Sequence, residues 1–154
     1  MPKTTQQLYA ELRDDVIAVA NPLFELSEDL LRKHGNFLPH GFVLNDEGKN
    51  TIVAATDHDA CGSTTSTMTL PLLHQGIRKQ VEAGKARAIG VAENVTITLA
   101  GGETTHAVKV MFEHRDGLCV ALYLPFTNEP LIRYQSGQIF TVAADPEVKA
   151  WHPR

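Results

Sequence analysis

Asp57, His58, Asp59 and Cys61 fall within one short stretch, and Gly62 then opens a hydroxyl run of Ser63, Thr64, Thr65, Ser66 and Thr67. Carboxylate, imidazole and thiolate are the usual ligands of a bound metal, and a thiol beside an imidazole supplies a nucleophile and its base. A glycine followed by hydroxyls at a helix start offers hydrogen-bond donors to a small anion. Each chemistry asks something different of the backbone.

A metal needs several of these groups to converge. Successive residues of a strand point to opposite faces, so convergence requires the preceding strand to end by Thr56. If Asn45 stands opposite Asn50 in the hairpin before the cluster, His40 lies opposite Ala55 and diagonal to Asp57, about 7 Å away. His40, Asp57 and Asp59 are then the candidate metal set, without any HxH, HExxH or paired CxxC spacing, or an EF-hand loop, to support it. No resident cofactor is expected.

For a nucleophile, Cys61 near a helix start has a route to a lowered pKa, with His58 as its base. A small, partly buried structural thiol explains the same residue. The hydroxyls also have a simple use, since Ser66 or Thr69 could cap the next helix. That leaves Gly62, Ser63, Thr64 and Thr65, with His40, Asp57 and His58, as a candidate site for a small polar or anionic ligand. Glu93 is a separate candidate because it interrupts the apolar phase between Val91 and Val95. In an unbroken strand its carboxylate points inward with a raised pKa suited to proton transfer; a bulge at Ala92 to Asn94, the preferred reading of so long a run, turns it to solvent.

The elements that must position these groups are legible. Leu8, Leu12, Val16 and Val19 recur at helical spacing, Asn21 and Pro22 should break or bend the helix, and Leu23, Leu26, Leu30 and Leu31 make a second short stripe that Gly35 ends. Strands follow at Phe37 to Leu44 and Thr51 to Thr56. A third helix should start near Thr69, with Pro71 in its first turn, Leu70, Leu73, Ile77 and Val81 as its stripe and Gly84 as its stop. Residues 85–126 then alternate as three strands.

Turn chemistry predicts the pairing. A two-residue Gly101, Gly102 turn sets Val95 against Val108 and Val91 against Phe112, uniting their apolar side chains on one face. At the next turn, a three-residue loop of Arg115, Asp116 and Gly117 with a left-handed glycine pairs His114 with Leu118 and Phe112 with Val120. Val108, Val110, Phe112, Val120, Leu122, Leu124 and Phe126 become the core face. The opposite face, with Lys109, Met111, Glu113, Cys119, Ala121 and Tyr123, is apolar enough to expect cover, either by the N-terminal helices or by a homodimer through Met111, Cys119, Ala121 and Tyr123.

The reading is therefore one α+β domain over residues 1–154. It has an antiparallel sheet of about five strands in the order α-α-β-β-α-β-β-β. Leu131 to Tyr134 and Gln138 to Val142 supply an extra C-terminal edge strand, and Trp151 acts as a packing anchor. At 154 residues the chain can bury a sizeable core without a metal or disulfide. Its net charge of −4 argues against nucleic acid, no stretch is apolar enough to span a membrane, and two distant cysteines suit a reducing cytoplasm.

The hairpin, crossover helix and three-strand meander resemble the topology of roadblock or profilin-like sensory and scaffold domains. The run Gly35 to Gly41 (GNFLPHG) and the Glu113 to Gly117 turn (EHRDG) resemble small bacterial proteins, a likeness spanning roughly residues 27–126. It brings no activity with it. The function expected is a non-catalytic ligand-binding or regulatory, protein-interaction domain; the alternative is a small hydrolase or transferase using Cys61 or a metal-held water near His40, Asp57, His58 and Asp59.

Overall fold

The computed structural model describes residues 3–54, 66–99, 101–127 and 135–151. The candidates Asp57, His58, Asp59, Cys61, Gly62, Ser63, Thr64 and Thr65 lie outside the described residues, as do Leu131 to Tyr134.

Two helices open the chain, α1 (Thr5–Glu11) and α2 (Arg13–His34). A capping box starts α1, in which Gln7 N–H donates to Thr4 Oγ1 at 3.1 Å and Thr4 N–H donates to Gln7 Oε1 at 2.9 Å. The break between them falls at Leu12 rather than at Asn21 and Pro22, and Pro22 is carried inside α2. Pro22 has no N–H to offer Ala18 O. Asn50 Nδ2 fills that vacancy at 2.8 Å, so a distant side chain replaces the lost intrahelical donor. Asp14 and Asp15 in the first turn and Arg32, Lys33 and His34 in the last match the helix dipole, and Gly35 closes α2 with φ of 75°.

The remaining elements are β1 (His40–Asn45), β2 (Asn50–Ala54), α3 (Ser66–Ala83), β3 (Ala86–Thr98), β4 (Thr104–His114), β5 (Cys119–Thr127), β6 (Gln135–Ser136) and β7 (Phe140–Ala143). They confirm the α+β class and the antiparallel sheet. Its strand order is β2-β1-β3-β4-β5-β6, with β7 also on β5. The extra C-terminal edge is thus supplied by two short strands. α3 begins at Ser66, earlier than expected; Pro71 therefore lies past its first turn, and Thr69 is inside the helix, not at its cap. Among the described residues no helix is long and apolar enough to cross a membrane.

The β1–β2, β3–β4 and β4–β5 hairpins use the same turn. Asn45, Leu99 and His114 each donate N–H to the carbonyl four residues on, at 2.9, 2.7 and 2.8 Å. Gly48, Gly102 and Gly117 stand in the left-handed region at φ of 83°, 85° and 102°. At the third hairpin this is the bulged turn expected, and Phe112 pairs with Val120. At the first two it moves the register by one residue: His40 stands opposite Ala54, and Val91 opposite Met111.

That shift exchanges the two faces of β3. Ala88, Gly90 and Ala92 now share a face with Val110, Phe112, Val120 and Leu122, and α2 packs there through Val16, Val19, Leu23 and Leu31. The small β3 residues let the helix sit close: a Cβ on Gly90 would collide with Val19 and lie 2.8 Å from Leu23 Cδ1. Ile89 and Val91 face the other way, into a second core with Val43, Leu73, Ile77 and Val148. The sheet is consequently covered on both sides over much of its area, by α2 on one and α3 on the other.

The Met111, Cys119, Ala121 and Tyr123 face is covered in part from within the chain, and not by the N-terminal helices. After β7, residues 144–151 turn back across it. Val148 is fully buried against α3, Arg78 Nη1 donates to Val148 O at 2.9 Å, and Trp151 packs at the rim of that core. Glu113 anchors the crossing: its Oε2 accepts from Glu147 N–H at 3.1 Å and Val148 N–H at 2.7 Å, and its Oε1 from Lys149 N–H at 2.9 Å. Met111 and Ala121 retain only 3% and 2% of their exposure.

Candidate functional site

Glu93, Lys109 and Tyr123 form one polar row across β3, β4 and β5 on the α3 side of the sheet. β3 and β4 pair without interruption from Ala88 to Thr98, so the expected bulge at Ala92 to Asn94 does not form and Glu93 stays on this face. Its partial burial pushes the carboxyl above its ordinary value; the facing Lys109 ammonium opposes the shift and Glu147 adds to it. Lys109 Nζ meets Glu147 Oε2 at 2.6 Å. Burial alone would lower the lysine's proton affinity, but the hydrogen bond to Glu147 and the surrounding negative charge outweigh it and leave the pKa raised.

His74 completes the cluster from α3. The ring is half-buried, and burial holds its pKa below the usual histidine value; Glu147 pulls the other way, while Arg78 and Lys109 push further down. Its Nε2 is buried without a hydrogen-bond partner among the described residues. Burying a polar nitrogen unpaired costs about 1–3 kcal/mol, which a ligand atom would recover. The cluster thus gathers two carboxylates, Glu93 and Glu147, an ammonium, a guanidinium from Arg78, a neutral imidazole and a phenol, with Lys109 and Glu147 at its centre. His74 and Lys109 are signalled in the sequence only as isolated polar residues in apolar stripes; the register that unites them with Glu93 is the unexpected one.

His40 lies on the α2 side, away from this row. Nε2 hydrogen-bonds with Ser27 Oγ at 3.2 Å and Nδ1 with Leu38 O at 3.0 Å, leaving the ring 5% exposed. Burial lowers its pKa, against a smaller opposing effect of the Leu38 carbonyl. Both nitrogens are engaged. His40 stands opposite Ala54, one residue from the expected Ala55, and its proposed metal partners Asp57 and Asp59 lie outside the described residues. Among the described residues no three His, Cys, Asp or Glu side chains are grouped to hold a metal.

Two other groups might be mistaken for chemistry. His114 Nε2 meets Asp15 Oδ2 at 2.8 Å, while its Nδ1 accepts from Asp116 N–H at 3.0 Å and Arg87 Nη2 pairs with Asp15 Oδ1 at 3.0 Å. This network ties the start of α2 to the β4–β5 turn and has no nucleophile beside it among the described residues. The Cys119 thiol is pushed up to about 12 by burial and by the nearby carboxylates of Glu113, Glu147 and Asp145. It is a thiol, not a thiolate, at neutral pH.

No protein-family model, no curated protein and no solved structure matches this chain.

Proposed function

We propose that this chain is a non-catalytic binding domain that takes a small polar ligand on the α3 side of its sheet, at Glu93, Lys109, Glu147 and His74. The observation that carries the reading is the buried Nε2 of His74, which has no hydrogen-bond partner among the described residues, beside that charged row. Lys109 is already answered by Glu147, so the ligand supplies a hydrogen-bond donor to Glu93 and a partner to His74. An amino alcohol or a polyol has that chemistry.

The alternative, a hydrolase or transferase built on Cys61 or a metal-held water near His40, Asp57, His58 and Asp59, draws less support. His40 has no free ring nitrogen to give. The binding reading is tested by mapping amide chemical shifts while a set of small amino alcohols and polyols is titrated in. Shifts should gather at His74, Glu93, Lys109 and Tyr123 and vanish in His74→Phe. Ligands that perturb the protein only elsewhere, or none that perturb it at millimolar concentration, would reject the site.

A further inference from the structure

We propose that the free edge of β7 pairs antiparallel with β7 of a second copy of this chain, in a register centred on Thr141. This contact is independent of the ligand site above. β7 hydrogen-bonds to β5 on one side, and the other side of the strand carries no pairing among the described residues. All four of its residues are exposed. Ile139, Phe140 and Val142, at 47%, 40% and 43%, bring three large exposed apolar side chains to one short segment.

Edges that stay monomeric are usually guarded by lysine, proline or a bulge. Residues 134–144 contain no charged residue and no proline, so two copies meet here without like charges facing across the axis. The segment is also self-complementary. A two-fold axis perpendicular to the sheet preserves both faces, which requires pairs of matching parity. Centred on Thr141, it places Phe140 against the second copy's Val142, twice by symmetry, and Thr141 against Thr141.

The same register puts Ile139 opposite the second copy's Ala143. Ala143 and Thr141 line a cleft of about 530 Å³ with Val120 of β5 and Thr5, Gln6 and Tyr9 of α1. Each exposed isoleucine thereby comes to the mouth of the other copy's cleft. On the opposite face, Phe140 stacks on Tyr123 with ring centroids 5.2 Å apart, which holds one half of the Phe140 and Val142 pair in place.

Light scattering on the full chain tests the edge and its register together. Wild type should be a dimer. Thr141→Glu and Thr141→Lys each set two like charges directly opposite one another and should be monomers with the wild-type circular dichroism spectrum. Mixed in equal amounts, the two variants should return the dimer mass. Thr141→Cys, whose paired Cβ atoms would stand about 4.5–5.5 Å apart, should be joined into a covalent dimer by a short bis-maleimide even if the charged variants fold poorly. A wild-type monomer at the highest attainable concentration, a dimeric Thr141→Glu, no recovery on mixing, or no cross-link would each overturn the proposal.

Discussion

Removing the Glu113 carboxylate should release the C-terminal crossing from the sheet. Three backbone N–H groups converge on this side chain, and the side chain itself is 4% exposed. In Glu113→Ala all three donors lose their acceptor. Val148, with no exposed surface, leaves its amide the least access to water, so it bears most of a penalty of about 1–3 kcal/mol. The Glu147 and Lys149 amides lie nearer solvent and should each cost a fraction of that. Removing a buried carboxylate also removes its own desolvation cost, which offsets part of the loss. The net effect is about 1–3 kcal/mol, or roughly 2–12 °C in melting temperature for a chain of this size. Glu113→Gln retains one acceptor oxygen but turns an NH₂ toward an N–H donor, and should fall between the two. Urea unfolding gives the stability, and amide hydrogen exchange gives the location: Val148 and Lys149 should lose protection before the β4–β5 ladder does. The reasoning fails if Glu113→Ala costs under about 0.5 kcal/mol. It also fails if the Val148 amide keeps its protection.

Gly41→Ala should be the more damaging of two small substitutions, because its new Cβ would lie 2.6 Å from the Gly90 carbonyl and 2.9 Å from Ile77 Cδ1, whereas Gly90→Ala meets only the side-chain ends of Val19 and Leu23. Both should lower the urea midpoint, with a stability loss of roughly 1–3 kcal/mol, and a reversed order would refute the close-packing argument. In a Cys61→Ser background, Cys119 should resist a mild thiol reagent at pH 8 in the native state and react fully in urea, since its pKa is pushed up to about 12; native-state reaction within minutes would contradict it. His40 is held below the histidine value of 6.5 by burial. The unfolded chain therefore protonates first on acidification, so its contribution to stability is complete above that value and is lost as pH falls toward the folded pKa. Imidazole NMR should show a midpoint below 6.5, and a midpoint at or above it would be inconsistent with the Ser27 and Leu38 environment.

Turn chemistry explains where sequence reasoning reached the sheet and where it stopped. At Arg115, Asp116 and Gly117 a three-residue loop was inferred because a two-residue one would have split the apolar residues of β4 and β5 between faces. At Gly101 and Gly102 the two-residue loop looked consistent, since β3 carries an apolar phase of its own. It was consistent with the wrong partner. Ile89 and Val91 belong to the second core, and the face toward α2 is made of Ala88, Gly90 and Ala92, whose small size reads as an absence of signal. The same one-residue difference at Gly48 sets His40 opposite Ala54 instead of Ala55.

What the sequence determined by itself is local: the apolar stripes on either side of Pro22, the Gly35 stop, the bulged turn at Gly117 and the alternation of β4 and β5. Each follows from the periodicity of side chains or the conformational freedom of one residue. The tertiary structure decided whatever depends on parity between strands or on contacts across long stretches of chain. Pro22 is tolerated because Asn50, far along the sequence, answers Ala18 O. Glu93 stays on a covered face because its strand pairs without a bulge. The apolar face of β4 and β5 is closed by Val148 because Glu113 captures amides 34 to 36 residues away. A carboxylate and a backbone amide recognise each other by position alone, and no spacing in the chain announces that meeting.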